Sequence, residues 1–392
     1  MMADDSWWLE EEELDDDQKI VNGLDLDGNF LVLGPPGSGK TNLVLLRASL
    51  FVNSRLPNVQ VLIYTSELRS FIRRGTHNYN VADEKIQTIM GWSLNLLREH
   101  RIRTDDLPDG PTKFQERREE IAKRLHSLFD RKPVLEGHIE CILVDEVQDC
   151  LQSEVDLFIR AAKHVFFAGD SRQQIYDTGE IVEYVKGKVS KTITLKYHYR
   201  NGPEICKTAD TIGKSSGEEP TLPTCNYKES KQGKSDSKFM PCTSEDDQAA
   251  QLIARLTLQV RTYPGELLGV ISPRKQDTVQ IRAAIEASPL AANLLPEGDL
   301  SPDPNRTIHV CNMFETKGLE YRAAHITHGH NIYRLRERQK RIAYTSVTRA
   351  KTSLTVYFVA KLPPYLEEAR EVVQGGTRMR ANPSSIFPGR KK

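Results

Sequence analysis

The run Gly34-Pro35-Pro36-Gly37-Ser38-Gly39-Lys40-Thr41 constrains this chain more than any other stretch. It follows the apolar segment Phe30-Leu31-Val32-Leu33 and opens a helix-like segment from Asn42 to Leu50. G-x-x-x-x-G-K-T between a strand and a helix is a cradle for phosphates. Glycines let backbone N–H groups close around the anion, Lys40 would reach the β and γ oxygens, and the Thr41 hydroxyl would hold Mg²⁺. Such a chain must build a parallel strand–loop–helix unit and present it to a nucleoside triphosphate.

A second motif adds chemistry to binding. Cys141-Ile142-Leu143-Val144 reads as a short buried strand ending in Asp145-Glu146-Val147-Gln148-Asp149. Carboxylates at the carboxyl end of a parallel strand project into the crevice where ligands sit. Asp145 suits the metal, through Thr41 and water, and Glu146 suits the water that attacks the γ-phosphate. An acidic strand end facing solvent is the competing reading, and the upstream phosphate loop argues against it.

At 392 residues, 38% of them hydrophobic, the chain has the composition of a globular protein of two or three domains. No apolar run reaches the length of a membrane span, and the acidic N-terminus is unlike a secretory leader. Six scattered cysteines form no C-x-x-C pair, which suits reduced thiols and a cytoplasmic or nucleoid-associated location. Net charge is zero, but its distribution is uneven. Residues 1–18 hold nine acids and no base, whereas Arg334, Arg336, Arg338, Lys340 and Arg341 cluster late in the chain. The acidic arm reads as a solvated tail, and its Trp7-Trp8-Leu9 is an apolar anchor for a partner protein or for this chain itself. The basic cluster could contact phosphates or simply be a solvated face.

Short β-rich runs at 30–33, 59–64, 141–144, 164–168, 192–195, 267–271, 307–311 and 353–359 alternate with helical stretches, as in crossover units of parallel sheets. Residues 211–248, rich in Ser, Lys, Gly and Glu, read as a flexible excursion, and the proline-rich 285–305 reads as a loop. Trp92, within Ile86 to His100, reads as packed core rather than as a nucleic-acid contact. His325, His328 and His330 have ligand-like spacing for Zn²⁺, but strand alternation would put only two of them on one face, so a structural role is favoured.

Four further segments line up in order: Phe166 to Tyr176, Leu195-Lys196-Tyr197-His198-Tyr199-Arg200-Asn201, Phe314 to Tyr321, and Ala343 to Ala350. Together with the phosphate loop and D-E-V-Q-D, this set resembles the superfamily 1 helicases of the UvrD/Rep/PcrA type, from about Gln18 to Tyr357. The resemblance implies an α/β fold of two RecA-like domains, with mostly parallel sheets flanked by helices and ATP in the cleft between them. The expected organisation is an acidic arm over 1–17, a first RecA-like domain over 18–190 with a short helical insertion at 101–138, a second over 191–360 with the flexible segment 211–248, and a tail over 361–392.

By the same resemblance Gln18 reads adenine and Tyr199 stacks on it, with Asn42 beside the base where the family has an arginine. Gln173 senses the γ-phosphate, Glu320 contacts ribose, and Arg200 and Arg349 are the two arginine fingers. Phosphoryl transfer needs positioning and cations on the equatorial oxygens more than covalent chemistry, so arginines delivered by a second domain would couple hydrolysis to closure. The implied activity is ATP- and Mg²⁺-dependent movement on single-stranded nucleic acid, DNA rather than RNA, with 3′-to-5′ polarity. Two departures weaken the likeness. The family's large insertions are absent, and Ser66, Thr178 and Gly179 stand where it places residues that grip DNA. The alternative is a regulatory helicase-like ATPase, a nucleotide-gated switch in a larger complex, for example with a nuclease. A GTPase is disfavoured by the lack of an N-K-x-D segment.

Overall fold

The computed structural model describes residues 14–64, 79–110, 113–170, 181–214, 220–298, 305–316 and 319–375, together with Arg69, Ile72 and Asp303, the side chains of Arg336 and Glu337 excepted. The acidic arm with Trp7-Trp8, Ser66, Gln173, Thr178 and Gly179 lie outside the described residues.

Eleven described strands form two sheets. The first holds β1 (Phe30–Leu33), β2 (Val59–Ile63), β3 (Ile86–Thr88), β4 (Ile139–Val144), β5 (Ala162–Gly169) and β6 (Lys191–Thr194), in the order β3-β2-β4-β5-β1-β6. The second holds β7 (Asp236–Pro241), β8 (Leu268–Ser272), β9 (Ile308–Asn312), β10 (Tyr321–Ile326) and β11 (Ala350–Phe358), in the order β7-β11-β10-β8-β9. Every pairing in both sheets is parallel. Parallel strands need crossovers, and crossover helices cover both faces, so the strands read as continuous apolar runs rather than alternating ones. Ile142 and Val144 feed the core on one face of the first sheet, while Cys141 and Leu143 feed the core on the other. The second sheet repeats the arrangement, with Ala324 and Ile326 on one side and Ala323 on the other. The fold is α/β, with two mostly parallel sheets flanked by helices.

The helices are α1 (Asp16–Asn22), α2 (Lys40–Asn53), α3 (Ile89–Glu99), α4 (Phe114–Arg131), α5 (Gln152–Ala161), α6 (Ile181–Lys186), α7 (Pro203–Gly213), α8 (Glu245–Thr262), α9 (Lys275–Glu286), α10 (Gln339–Val347) and α11 (Pro364–Val373), besides one turn at Glu229–Gln232. The expected insertion at 101–138 contains α4, whose face of Ile121, Leu125, Leu128 and Phe129 joins the core beside α3 and α5. Arg118 on α4 donates from Nε to Glu154 on α5 at 2.9 Å, burying an ion pair that ties the two helices together.

Four expectations are corrected. Residues 191–194, assigned to the second domain, form an edge of the first sheet, each residue registering with one from Phe30 to Leu33. The flexible segment 211–248 carries β7, the edge strand of the second sheet, and the start of α8. Its Lys- and Ser-rich composition reflects an edge strand with one exposed face, since Phe239 alone on it reaches the main core of that domain. The loop at 285–305 begins only after Glu286, where α9 ends. The tail from 361 includes α11, whose Tyr365, Leu366 and Ala369 are buried against the second core.

Candidate nucleotide site

The phosphate loop leaves β1, which lies between β5 and the edge strand β6 of the first sheet. Gly37 and Gly39 adopt φ of 77° and 85°, backbone values that residues with a side chain rarely take, so the loop can turn its N–H groups inward. Lys40 caps the turn from the first residue of α2, with its Nζ donating to the Gly34 and Pro35 carbonyls at 2.8 and 3.0 Å. Burial lowers its pKa, against the pull of Asp170, Glu146 and Asp145, and Arg200 lowers it further. A buried ammonium among three carboxylates and a ring of amides matches a polyanion carrying a divalent cation.

Thr41 donates its hydroxyl to Asp145 Oδ2 at 2.6 Å, joining the loop to the end of β4. Burial pushes the Asp145 carboxyl up to about 6, and the Glu146 charge adds to that, while the Thr41 hydrogen bond and Lys40 oppose it. A cation at this point would relieve the strain of two adjacent carboxylates, so Thr41 and Asp145 fit as holders of Mg²⁺. Glu146 has φ of 57°, a left-handed value that turns its side chain away from the line of β4. Gln148 donates to the Glu146 carboxylate, and its Oε1 accepts from Asp170 N at 2.9 Å. This link between Glu146 and the end of β5 was not singled out from the sequence, although Gln148 lies inside D-E-V-Q-D.

The chain crosses between domains within 195–202, directly over the phosphate loop. Leu195 N donates to Leu33 O at 2.7 Å and Tyr199 N to Gly37 O at 3.0 Å, both on the first domain. Asn201 Nδ2 then donates to the Thr348 and Ala350 carbonyls at 2.8 and 2.6 Å, and Gly202 N to Lys351 O at 2.9 Å, all on the second. Arg200 sits at the changeover. It pairs with Glu320, and its Nε has no hydrogen-bond partner among the described residues.

Arg349 is fully buried, with Nε donating to Thr345 O at 3.0 Å. Burial drops its pKa to about 10 and Arg200 repels it further, while Glu146 and Glu320 pull the other way. The second-domain arginine therefore feels the carboxylate of the first domain. Glu320 is buried, which raises its pKa, but Arg200, Lys351 and Arg349 outweigh that and leave the carboxyl below its ordinary range.

Three predicted base contacts have other partners here. Gln18 donates from Nε2 to Ser38 O at 2.9 Å, and its Oε1 accepts from Asp15 N at 3.0 Å, so both ends of the amide brace the loop against α1. Tyr199 donates its hydroxyl to Asp15. Asn42 accepts from the Tyr79 hydroxyl at 2.7 Å in a buried contact. The remaining loop residues Pro35, Pro36 and Ser38 lie where the motif requires, between β1 and α2.

The histidines 325, 328 and 330 do not converge on a metal. Burial holds His325 neutral, with a pKa of about 3, and Gln259 and Tyr357 flank its ring nitrogens at 2.6 and 3.2 Å. The strand ends at Ile326, before the other two. Trp92 packs edge-on against Phe158, with ring centroids 5.8 Å apart, as core.

A family model described as an AAA domain matches residues 17–179, which is the first domain with its phosphate loop and D-E-V-Q-D. Among solved structures, the chain is similar to the C-terminal domain of a possible DNA helicase from Lactobacillus plantarum WCFS1, at 19% identity and a TM-score of 0.31, over 43% of this chain and 91% of that one. It is also similar to the PRRSV helicase, at 12% identity and a TM-score of 0.42, over 88% of this chain and 57% of that one. No curated protein matches. No described helix is long and apolar enough to cross a membrane. The family match is to an AAA domain and does not distinguish the UvrD/Rep/PcrA type.

Proposed function

We propose that this chain is an ATP hydrolase of the superfamily 1 helicase type, closest in motif order to the UvrD/Rep/PcrA helicases, that moves on single-stranded nucleic acid. The observation that carries the reading is the meeting of Lys40, Thr41, Asp145 and Glu146 from the first domain with Arg200 on the inter-domain crossing and Arg349 from the second domain. Thr41 and Asp145 would hold Mg²⁺, which would supply positive charge to the phosphate oxygens. Lys40 and the loop amides hold the phosphates, and Glu146, braced by Gln148, orients the attacking water and takes its proton. Arg200 and Arg349 place positive charge where it develops on the departing phosphoryl group. Gln173 is assigned to sensing the γ-phosphate, and Tyr199, Gln18, Asn42 and Glu320 to the nucleoside end once the present contacts rearrange.

Because the inter-domain crossing runs over the phosphate loop, any change in the loop's contents acts on the relative placement of the domains. That coupling supports translocation, with DNA and 3′-to-5′ polarity following from the motif likeness alone. The exposed ring of Tyr333, with Arg334 stacked 5.3 Å from its centroid, offers a surface for bases and phosphates beside the basic run that ends at Arg341. The test is ATP turnover with and without single-stranded DNA or RNA across a salt series. Stimulation that weakens steeply with salt supports a motor. Turnover indifferent to both nucleic acids removes that reading and leaves the ATPase.

The alternative, a regulatory ATPase switch within a complex, is favoured by the compactness of the insertions. The first insertion is spent on core packing by α4, and the described part of the second interval after Glu286 holds one short 3-10 turn, Ala291–Asn293. This reading expects ATP-dependent association with a partner protein and no strand displacement from a tailed duplex.

A further inference from the structure

Behind the Tyr199-Arg200 segment lies a cluster that the proposed ATP chemistry does not use. His198 stands on the inter-domain crossing, Cys206 on α7, and Cys225 at the end of the turn 222–224. The His198 ring and the two sulfurs lie within 4.8 Å of one another. His198 and Cys206 are buried and Cys225 is half-buried, which leaves one side open for entry. The crossing and the 221–225 turn are also joined by backbone: His198 N donates to Thr224 O at 3.1 Å and Asn226 N to His198 O at 2.8 Å.

From this convergence we propose a binding site for a soft divalent cation, Zn²⁺ by chemical class, held by His198 Nε2, Cys206 Sγ and Cys225 Sγ. Two thiolates and one imidazole are a zinc-type donor set. The spacing agrees. Tetrahedral Zn²⁺, with bonds of about 2.3 Å to sulfur and 2.0 Å to nitrogen, separates the two donors by about 3.5 Å. Cys206 Sγ and His198 Nε2 are 3.7 Å apart. Both sulfurs also converge on one backbone oxygen, Asn201 O, at 3.5 Å from Cys206 and 3.3 Å from Cys225.

Binding releases the thiol protons, and His198 Nε2 exchanges its present neighbour, Thr221 O at 2.9 Å, for the metal. Water completes the fourth position. With only three protein ligands the site should exchange its metal more readily than a four-ligand structural site. The cation would fasten three separate segments around the residue preceding Tyr199. That consequence for turnover rests on the function proposed above, whereas the metal site itself does not.

The test is Co²⁺ titration of the full reduced chain, followed by absorbance. We expect sulfur-to-cobalt charge-transfer and tetrahedral ligand-field bands that saturate at one Co²⁺ per chain and vanish when Zn²⁺ is added. Cys206→Ser and Cys225→Ser should abolish the charge-transfer intensity or cut it sharply, whereas Cys242→Ser should leave it intact. Should the variants not fold, alkylation mapping on the parent chain decides the matter, with Zn²⁺ expected to protect Cys225 and Cys206. A folded, reduced parent that shows no thiolate–cobalt band, bands that survive in Cys225→Ser, or alkylation indifferent to Zn²⁺ would each overturn the site. So would a Cys206–Cys225 disulfide recovered from the protein as purified.

Discussion

Gly37 and Arg200 share one small space: a methyl group placed on Gly37 would lie 2.3 Å from the Arg200 Cβ. Gly37 also needs its φ of 77°, so the position is closed to alanine twice, once by backbone and once by contact. The conformation alone costs about 1–3 kcal/mol for a residue with a side chain. Gly37→Ala should therefore weaken ATP binding by about tenfold or more, since 1.4 kcal/mol is a factor of ten. Calorimetric titration with a slowly hydrolysed ATP analogue checks this, and an unchanged affinity contradicts the geometry.

Lys40→Ala and Glu146→Gln should separate binding from chemistry. Removing the Lys40 ammonium takes a cation from the phosphates, so affinity and turnover both fall. Glu146→Gln keeps a similar shape beside Gln148 but cannot take a proton, so nucleotide still binds while kcat drops by about 10²–10⁴. Retained turnover in Lys40→Ala would undo the whole assignment.

Arg200 and Glu320 form a buried pair, so losing one partner confounds function with stability. Arg200→Ala leaves Glu320 buried with Lys351 and Arg349 as its remaining cationic neighbours. Breaking a buried pair costs about 3–5 kcal/mol when nothing else compensates, and those two neighbours should reduce that. The double variant Arg200→Ala/Glu320→Gln should regain thermal stability but not turnover, which is expected to stay about 10³-fold down or more. Recovery of both would make Arg200 a structural ion-pair residue.

Asp145 carries a pH signature. Its folded pKa of about 6 lies above the ordinary 3.8, so the folded state binds this proton more tightly. The resulting stabilisation is full below 3.8 and is lost as pH rises through about 6. Asp145→Asn should therefore gain melting temperature relative to the parent at neutral pH in metal-free buffer, with the gap closing as pH falls below 6. A gap constant across that window contradicts the burial argument.

Trp92 should behave as core. Trp92→Ala is expected to cost about 3–5 kcal/mol in urea denaturation, because it empties the space against Phe158. Trp92→Phe should keep both stability and any affinity for single strands. Loss of strand binding without loss of stability would give Trp92 the nucleic-acid role set aside above.

The phosphate-loop strand of the first sheet was legible because its signal is local. A phosphate loop needs glycine at positive φ, a lysine one step into a helix and an apolar strand before it, and all three lie within a dozen residues of Phe30. Seven of the eight β-rich runs read from the sequence coincide with observed strands to within about two residues at each end, and the eighth, 353–359, begins three residues late. Of the three strands outside those runs, Ile86–Thr88 and Asp236–Pro241 are edge strands, while Tyr321–Ile326 is the central strand of the second sheet. An edge strand buries less of itself and tolerates the Ser, Lys and Gln that disguise it as loop. Residues 361–375 looked like tail for a related reason: a short amphipathic helix shows its apolar face only once a core is present to receive it.

The sequence by itself determined that this chain carries a triphosphate cradle, a carboxylate pair at a neighbouring strand end and an alternating α/β pattern, because each of these is written in adjacent residues. Only the tertiary structure decided where one domain ends and the other begins, that the crossing runs over Gly37, and that Gln18 and Asn42 are held by Ser38 and Tyr79. It alone brings His198, Cys206 and Cys225 together from positions that share no spacing rule. Contacts between distant segments depend on how two sheets stack and where the chain passes between them, and no short-range pattern encodes that geometry.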